Sequence, residues 1–156
     1  MDGSLESVKT LGTKWCSLWS GDDAEPWVAM YAQKATFLDH ALQINRQGFP
    51  NLQDHFKIWT NSLPDCKAVL EGSWPGERLP DGKWRVIMRT RWTGTFLNDL
   101  PTIKASGTKV NFPVRVEMVV RDDGLIEEAA EWYCSNFWDV KPVSEYHRRG
   151  DFAWTD

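Results

Sequence analysis

The sequence predicts an α+β domain in which a strongly curved, mixed or antiparallel sheet wraps over three N-terminal helices. Three observations carry this. Apolar residues recur at 3-and-4 spacing up to Leu63, the mark of helices with one buried face. After Pro64 the pattern changes to alternation over long runs, the mark of strands. Asp122-Asp123-Gly124 separates two such runs, a strong hairpin signal. With 156 residues and no repeat, linker or low-complexity tract, residues 1–156 read as a single domain long enough to bury a real core.

Taken in order, Leu5, Val8, Leu11, Trp15, Leu18 and Trp19 make the apolar face of a first helix that Ser20-Gly21 ends. Asp22-Asp23-Ala24-Glu25-Pro26 opens a second, with acids and a proline where a first turn tolerates them, and Ala24, Trp27, Val28 and Tyr31 as its buried stripe. Residues 35–39 form a short strand. Gly48-Phe49-Pro50 precedes a third helix with the stripe Leu52, Phe56, Trp59 and Leu63. Strands follow at 67–74 and 83–97, separated by a Pro/Gly-rich turn at 75–82, with Gly94 suited to a bulge. Residues 98–107 are a loop, and 108–121 and 125–136 pair as the hairpin.

Composition narrows the function. A net charge of -4 with scattered basic residues argues against a nucleic-acid or anionic-membrane partner. No apolar run is long enough for a membrane helix. Met1-Asp2-Gly3-Ser4 lacks the basic and apolar regions of a secretory signal, and three cysteines without a CxxC suit a reduced compartment, so a cytoplasmic protein is expected. Ten tryptophans exceed what a core of this size needs, which favours a pocket for one small hydrophobic molecule or a protein contact.

Strand side chains alternate, so parity decides which of them face inward. Val86, Met88, Thr90 and Trp92 share one face of their strand, against Arg85, Arg89 and Arg91. Val114, Val116, Met118 and Val120 likewise oppose Arg115, Glu117 and Arg121. The charged sets then lie outside, as cross-strand pairs or a dimer surface. In the last strand neither face is cleanly apolar, and periodicity leaves the direction of Glu131 open.

The run from Trp15 to Asp23 (WCSLWSGDD), then Met30-Tyr31-Ala32 and Ala35-Thr36-Phe37-Leu38-Asp39, resembles the opening of the bacterial ketosteroid isomerases. Thr93-Gly94-Thr95-Phe96, Ser106-Gly107 and the run from Val119 to Ile126 (VVRDDGLI) are similar to the SnoaL-like polyketide cyclases. Both families belong to the NTF2-like superfamily, so the resemblance, over roughly residues 5–135, implies its cone-shaped fold and a homodimer through the outer sheet. It places the isomerases' general base on Asp39 and an aromatic pocket residue on Tyr133, a register that turns Glu131 inward. The isomerases' oxyanion-binding tyrosine falls on Trp15 and their second oxyanion donor near Val116, neither of which can donate as those groups do. The base is kept and the oxyanion hole is not, so the chain is not a ketosteroid isomerase.

Four residues are the catalytic candidates. Asp39, at the mouth of an apolar cone, suits a general base whose pKa burial would raise; the competing role is a strand-end aspartate capping the next turn. Glu131, if inward, stays protonated and donates a hydrogen bond; if outward, it is an ordinary edge-strand residue. Tyr133 is either a phenolic donor or a wall. His40 faces away in a continuing strand and swings back in a turn, and histidines do serve in SnoaL-like cyclases and some dehydratases. His55 and His147 read as surface residues. Trp15, Trp19, Phe56, Trp59 and Trp92, with Met88, Thr90, Val116 and Met118, are expected to line the substrate pocket. No two histidines stand at ligand spacing and no acid cluster suggests an ion cage, so no metal is expected. The aromatic tail from Phe137 to Trp154 is expected to cover the mouth or a partner subunit. Together these imply a cofactor-independent isomerase or cyclase of a polyketide or terpenoid intermediate. A dehydratase using the same residues and a non-catalytic binding or dimerisation module are the alternatives.

Overall fold

The computed structural model describes residues 1–101 and 103–134. The tail, His147 and the last two residues of the expected final strand lie outside them. Three helices, α1 (Leu5–Trp19), α2 (Ala24–Val28) and α3 (Gly48–Ser62), lie with seven strands: β1 (Tyr31–Asp39), β2 (Ile44–Gln47), β3 (Lys67–Ser73), β4 (Glu77–Arg78), β5 (Trp84–Thr95), β6 (Lys109–Val120) and β7 (Ile126–Tyr133). All strands form one mixed sheet in the order β2-β1-β7-β6-β5-β3, with β4 on β5. Among the described residues only β1 and β7 run parallel; the other pairings are antiparallel. The α+β class and the three N-terminal helices are as the sequence predicts.

Each helix follows from its local chemistry. Ser4 caps α1, its hydroxyl accepting from the Ser7 N–H at 3.2 Å. The stripe Val8, Trp15, Cys16 and Trp19 is buried, whereas Leu5 at the open end is half exposed. Gly12 lies in that stripe because α1 sits close on the sheet: a Cβ there would stand 2.9 Å from Met88 Sδ and 3.0 Å from Leu70 Cδ1. Asp23 caps α2 through the Glu25 N–H. That helix stops at Val28, so Tyr31 begins β1 rather than ending a helical stripe. Helix α3 takes in Gly48, Phe49 and Pro50 as its first turn, where proline gives up no hydrogen bond.

The sheet follows parity where the pairing is regular. Val86, Met88, Thr90, Trp92, Val114, Val116, Met118 and Val120 are all buried. On the opposite face Arg89 and Arg91 both pair with Glu71, and Arg85 bridges to Glu117 at 3.4 Å. The β5–β6 register runs unbroken from Trp84↔Val120 to Thr95↔Lys109, so Gly94 is not a bulge. It is instead a point of close approach, where a Cβ would meet Leu63 Cδ2 and the Cys66 Cα at 3.3 Å. Register shifts lie in β3 between Leu70 and Gly72, between β6 and β7 where Val119 pairs Glu128 and Val120 pairs Ile126, and in β1 against β7 between Tyr31 and Thr36. The bulge between β6 and β7 leaves Glu127 unpaired and reverses the parity of β7.

The tight seat of α1 gives a test. Gly12→Val is expected to force Met88 and Leu70 aside and to destabilise by about 1–3 kcal/mol. Chemical denaturation of the purified variant beside the parent would measure it; an unchanged midpoint would mean the helix sits further off the sheet.

Candidate active site

Strands β1 and β7 bring two acids side by side. Ala35, Phe37 and Asp39 alternate inward along β1, and all three are buried. Beyond the Glu127 bulge, Ala129 and Glu131 turn inward on β7. The parallel register sets Asp39 directly opposite Glu131, with 1 % and 2 % of their surfaces exposed. Glu131 faces the interior, as the resemblance implied.

Their environments differ. Asp39 accepts from the Leu42 N–H at 3.0 Å through Oδ1 and from the Tyr133 hydroxyl at 2.8 Å through Oδ2. Asp39 thus fills the turn-capping role and also remains tied to a phenol within the fold. Burial raises its pKa above the ordinary aspartate value, and those two hydrogen bonds oppose the rise. Glu131 has no such help: Oε2 is buried without a partner. Burial, then the neighbouring Asp39 charge, push its pKa well above the usual glutamate range. The proton therefore belongs on Glu131 and the negative charge on Asp39. Burial likewise holds the Tyr133 phenol protonated, reinforced by charge on the two acids.

A third group, His55, joins them from α3. It is 1 % exposed, packs 4.7 Å from the Phe37 ring, and leaves Nε2 without a partner. One ring nitrogen and one oxygen each from Asp39 and Glu131 lie within 4.8 Å of one another. Burial, assisted by the Arg46 charge, holds the imidazole down to about 3, so it is neutral at working pH. The expectation of a surface histidine is corrected, and the signal was present: Leu52, His55, Phe56 and Trp59 follow the 3-and-4 spacing of the buried stripe. The three groups come from three separate elements, so no spacing along the chain brings them together.

His40 does not join the cluster. The strand direction carries it to the outer face, where its ring stacks on Trp132 at 4.5 Å and 8°. Its backbone N–H donates to the Glu131 carbonyl at 3.0 Å, which holds that direction. Trp15, standing where the isomerases have a phenol, donates its indole N–H to the Tyr31 hydroxyl at 2.9 Å. Tyr31 in turn lies within electrostatic reach of Glu131, so a phenol is present near the acids but carried by β1.

The expected open pocket is not there among the described residues. Trp59, Trp92, Phe112, Val114, Glu131 and Tyr133 enclose a gap too narrow to admit a water molecule. Of the nine expected lining residues, Trp59 and Trp92 border it. Trp15, Trp19, Phe56, Met88, Thr90, Val116 and Met118 are instead packed into the core. Trp19 alone meets Trp15, Trp27, Phe56 and Trp92 with ring centroids between 4.7 and 6.0 Å, which fills the space a pocket would need. Trp92 donates to Thr90 Oγ1 at 3.2 Å, fixing both in the wall.

Residues 13–129 match the SnoaL-like domain family, and the chain belongs to it. No curated protein matches the chain. Among solved structures it is similar to a candidate SnoaL-like polyketide cyclase from Jannaschia sp. CCS1, with a TM-score of 0.66, 16% identity, and 82% of this chain and 83% of that one covered. It is also similar to a protein of ketosteroid isomerase-like fold from Catenulispora acidiphila, solved with trimethylamine, at 0.64 and 17% identity over 79% and 84%. A third is SalBIII, an epoxide hydrolase/cyclase-like enzyme in pyran ring formation in the polyether salinomycin, at 0.63 and 16% identity over 83% and 92%. At these identities the likeness shows the ketosteroid isomerase-like fold alone.

The Glu131 environment sets a pH signature. Its folded-state pKa lies above the ordinary 4.5, so the native state holds a proton that the unfolded chain releases. Its contribution to stability is complete below that value and is lost as pH rises towards the folded pKa. Glu131→Gln lacks this loss. Its melting temperature relative to the parent should therefore climb steadily between about pH 4 and pH 8 in paired thermal melts. A difference that stays constant across that range would place Glu131 in a solvated setting.

Proposed function

We propose that this protein is a cofactor-independent isomerase or cyclase that moves a proton on a hydrophobic polyketide or terpenoid intermediate. The observation that carries the reading is the pair Asp39 and Glu131, buried side by side and split by their hydrogen bonds into base and acid. Asp39 takes a proton beside a carbonyl or enone. Glu131 or Tyr133 donates to the oxygen that gains charge and returns a proton elsewhere. Ring closure follows where the resulting enolate carbon adds to a carbonyl carbon of the same molecule, whose oxygen takes the displaced electron pair and is protonated by Glu131 or Tyr133. Membership of a family that includes polyketide cyclases supports the class, and the chemistry of SalBIII, pyran ring formation, is of the same intramolecular kind. We place the reaction in the cytoplasm, in keeping with three unpaired cysteines. We also propose a homodimer through the outer face of the sheet, where Arg115 stands directly opposite Arg89 beside exposed Trp132.

The closed interior favours a second reading, a binding or dimerisation module without turnover. One experiment separates the two. A panel of hydrophobic enones and 1,3-diketones in D2O is followed by mass spectrometry for deuterium uptake. The parent should accelerate exchange of at least one member. Asp39→Asn, checked for folding by circular dichroism, should lose about 10²–10⁴-fold of that rate. Tyr133→Phe should lose roughly tenfold through the missing phenolic donor to the substrate oxygen. Equal rates for parent and Asp39→Asn would leave the non-catalytic reading standing.

A further inference from the structure

We infer that Asp39, His55 and Glu131 form a binding site for one first-row divalent metal ion of zinc size. Three features of the interior point to it. The donor set of one imidazole and two carboxylates, from α3, β1 and β7, is that of Zn²⁺, Co²⁺ or Mn²⁺ sites and is too nitrogen-rich for Ca²⁺. Two of its members carry a polar atom that is buried and unpartnered, His55 Nε2 and Glu131 Oε2, an arrangement native interiors rarely leave without a ligand. Among the described residues neither Asp39 nor Glu131 has a salt-bridge partner, so two adjacent buried acids lack a bonded counter-charge.

The distances suit an ion rather than an organic guest. Three atoms within 4.8 Å of one another surround a point no more than about 2.8 Å from each. Inward movements of less than about 1 Å bring that point to the bond lengths of about 2.0–2.2 Å that zinc makes with imidazole nitrogen and carboxylate oxygen. The neighbouring gap, too narrow for water, cannot take a fused-ring molecule without side-chain movement. Tyr133, whose hydroxyl bonds Asp39, supplies the outer hydrogen bond that orients a ligating carboxylate. The Arg46 charge also acts on His55 and opposes a cation there.

This site goes beyond the acid–base reading, since an ion on Asp39 occupies the oxygen that would take the proton. Titration of the full-length, chelator-treated protein with Co²⁺ tests it. One equivalent per chain should give the visible absorption of a low-coordinate cobalt site, and Zn²⁺ should bleach it. A rise in melting temperature should accompany binding. His55→Gln and Glu131→Gln should each weaken the affinity by roughly a hundredfold, while His40→Gln, on the outer face, should keep it. Should His55→Gln not fold, Glu131→Gln carries the comparison. Absence of cobalt bands and of a thermal shift in the parent, or equal binding by His55→Gln, overturns the site. Deuterium exchange measured with chelator present keeps the two ideas apart: exchange without cobalt binding sinks the metal site alone, and cobalt binding without exchange sinks the acid–base reading alone.

Discussion

The pairing of β1 with β7 is the constraint on which the site depends. It is the one parallel contact among the described residues, and its register places Asp39 opposite Glu131. Two like charges facing each other across buried strands destabilise a sheet, and desolvation multiplies the penalty. The fold tolerates the pair only because the two groups are not equivalent. Asp39, at the strand end, receives a backbone N–H and a phenol; Glu131, one strand inward, receives neither. A charge and a proton are thereby sorted between neighbours. A shift of β7 by one residue would send Glu131 outward and bring Trp132 in, abolishing the pair.

The aromatic residues set the dielectric in which that pair sits. Trp19 packs tilted on Trp27, edge-on to Trp92 and stacked on Phe56, and the indole N–H groups of Trp19 and Trp27 are left unpartnered. Such packing stabilises through area and ring geometry while excluding water. The same exclusion raises the proton affinity of both acids. Core and site are one object here: substitutions that loosen the tryptophans admit water and return Asp39 and Glu131 towards ordinary carboxyl behaviour.

Much of this was legible in the sequence because regular pairing preserves parity. In β5 and β6 the inward residues could be named one by one, and Arg85, Arg89 and Arg91 found acids on the outer face. Asp39 was legible through the resemblance to the ketosteroid isomerases, and its inward direction follows from the Ala35–Phe37–Asp39 alternation of β1. Parity failed in β7 because the bulge at Glu127 inserts one residue, and no local composition marks it. Strand β2 was missed because Ile44–Gln47 is short, polar and at the sheet edge. His55 was missed for a different reason: its residue type suggested the surface while its helical position predicted burial, and position decided. The pocket was overread because Trp15 and Trp19 were taken as lining beside Trp59 and Trp92, when the first two fill the volume that lining would enclose.

A packed interior and proton chemistry can be reconciled through Tyr133. Its ring is one wall of the narrow gap, 6.1 Å from Trp59 and 5.2 Å from Phe112, and it lies at the end of β7, only partly buried. An organic molecule that enters through this wall displaces the ring. Moving it breaks the 2.8 Å bond to Asp39 Oδ2. The carboxylate then loses one of the two hydrogen bonds that oppose its raised pKa and becomes the stronger base. The freed phenol, itself held protonated by burial, is available to a substrate oxygen. Entry and activation are thereby coupled through a single side chain: the step that opens the gap is also the step that prepares the base and releases the donor.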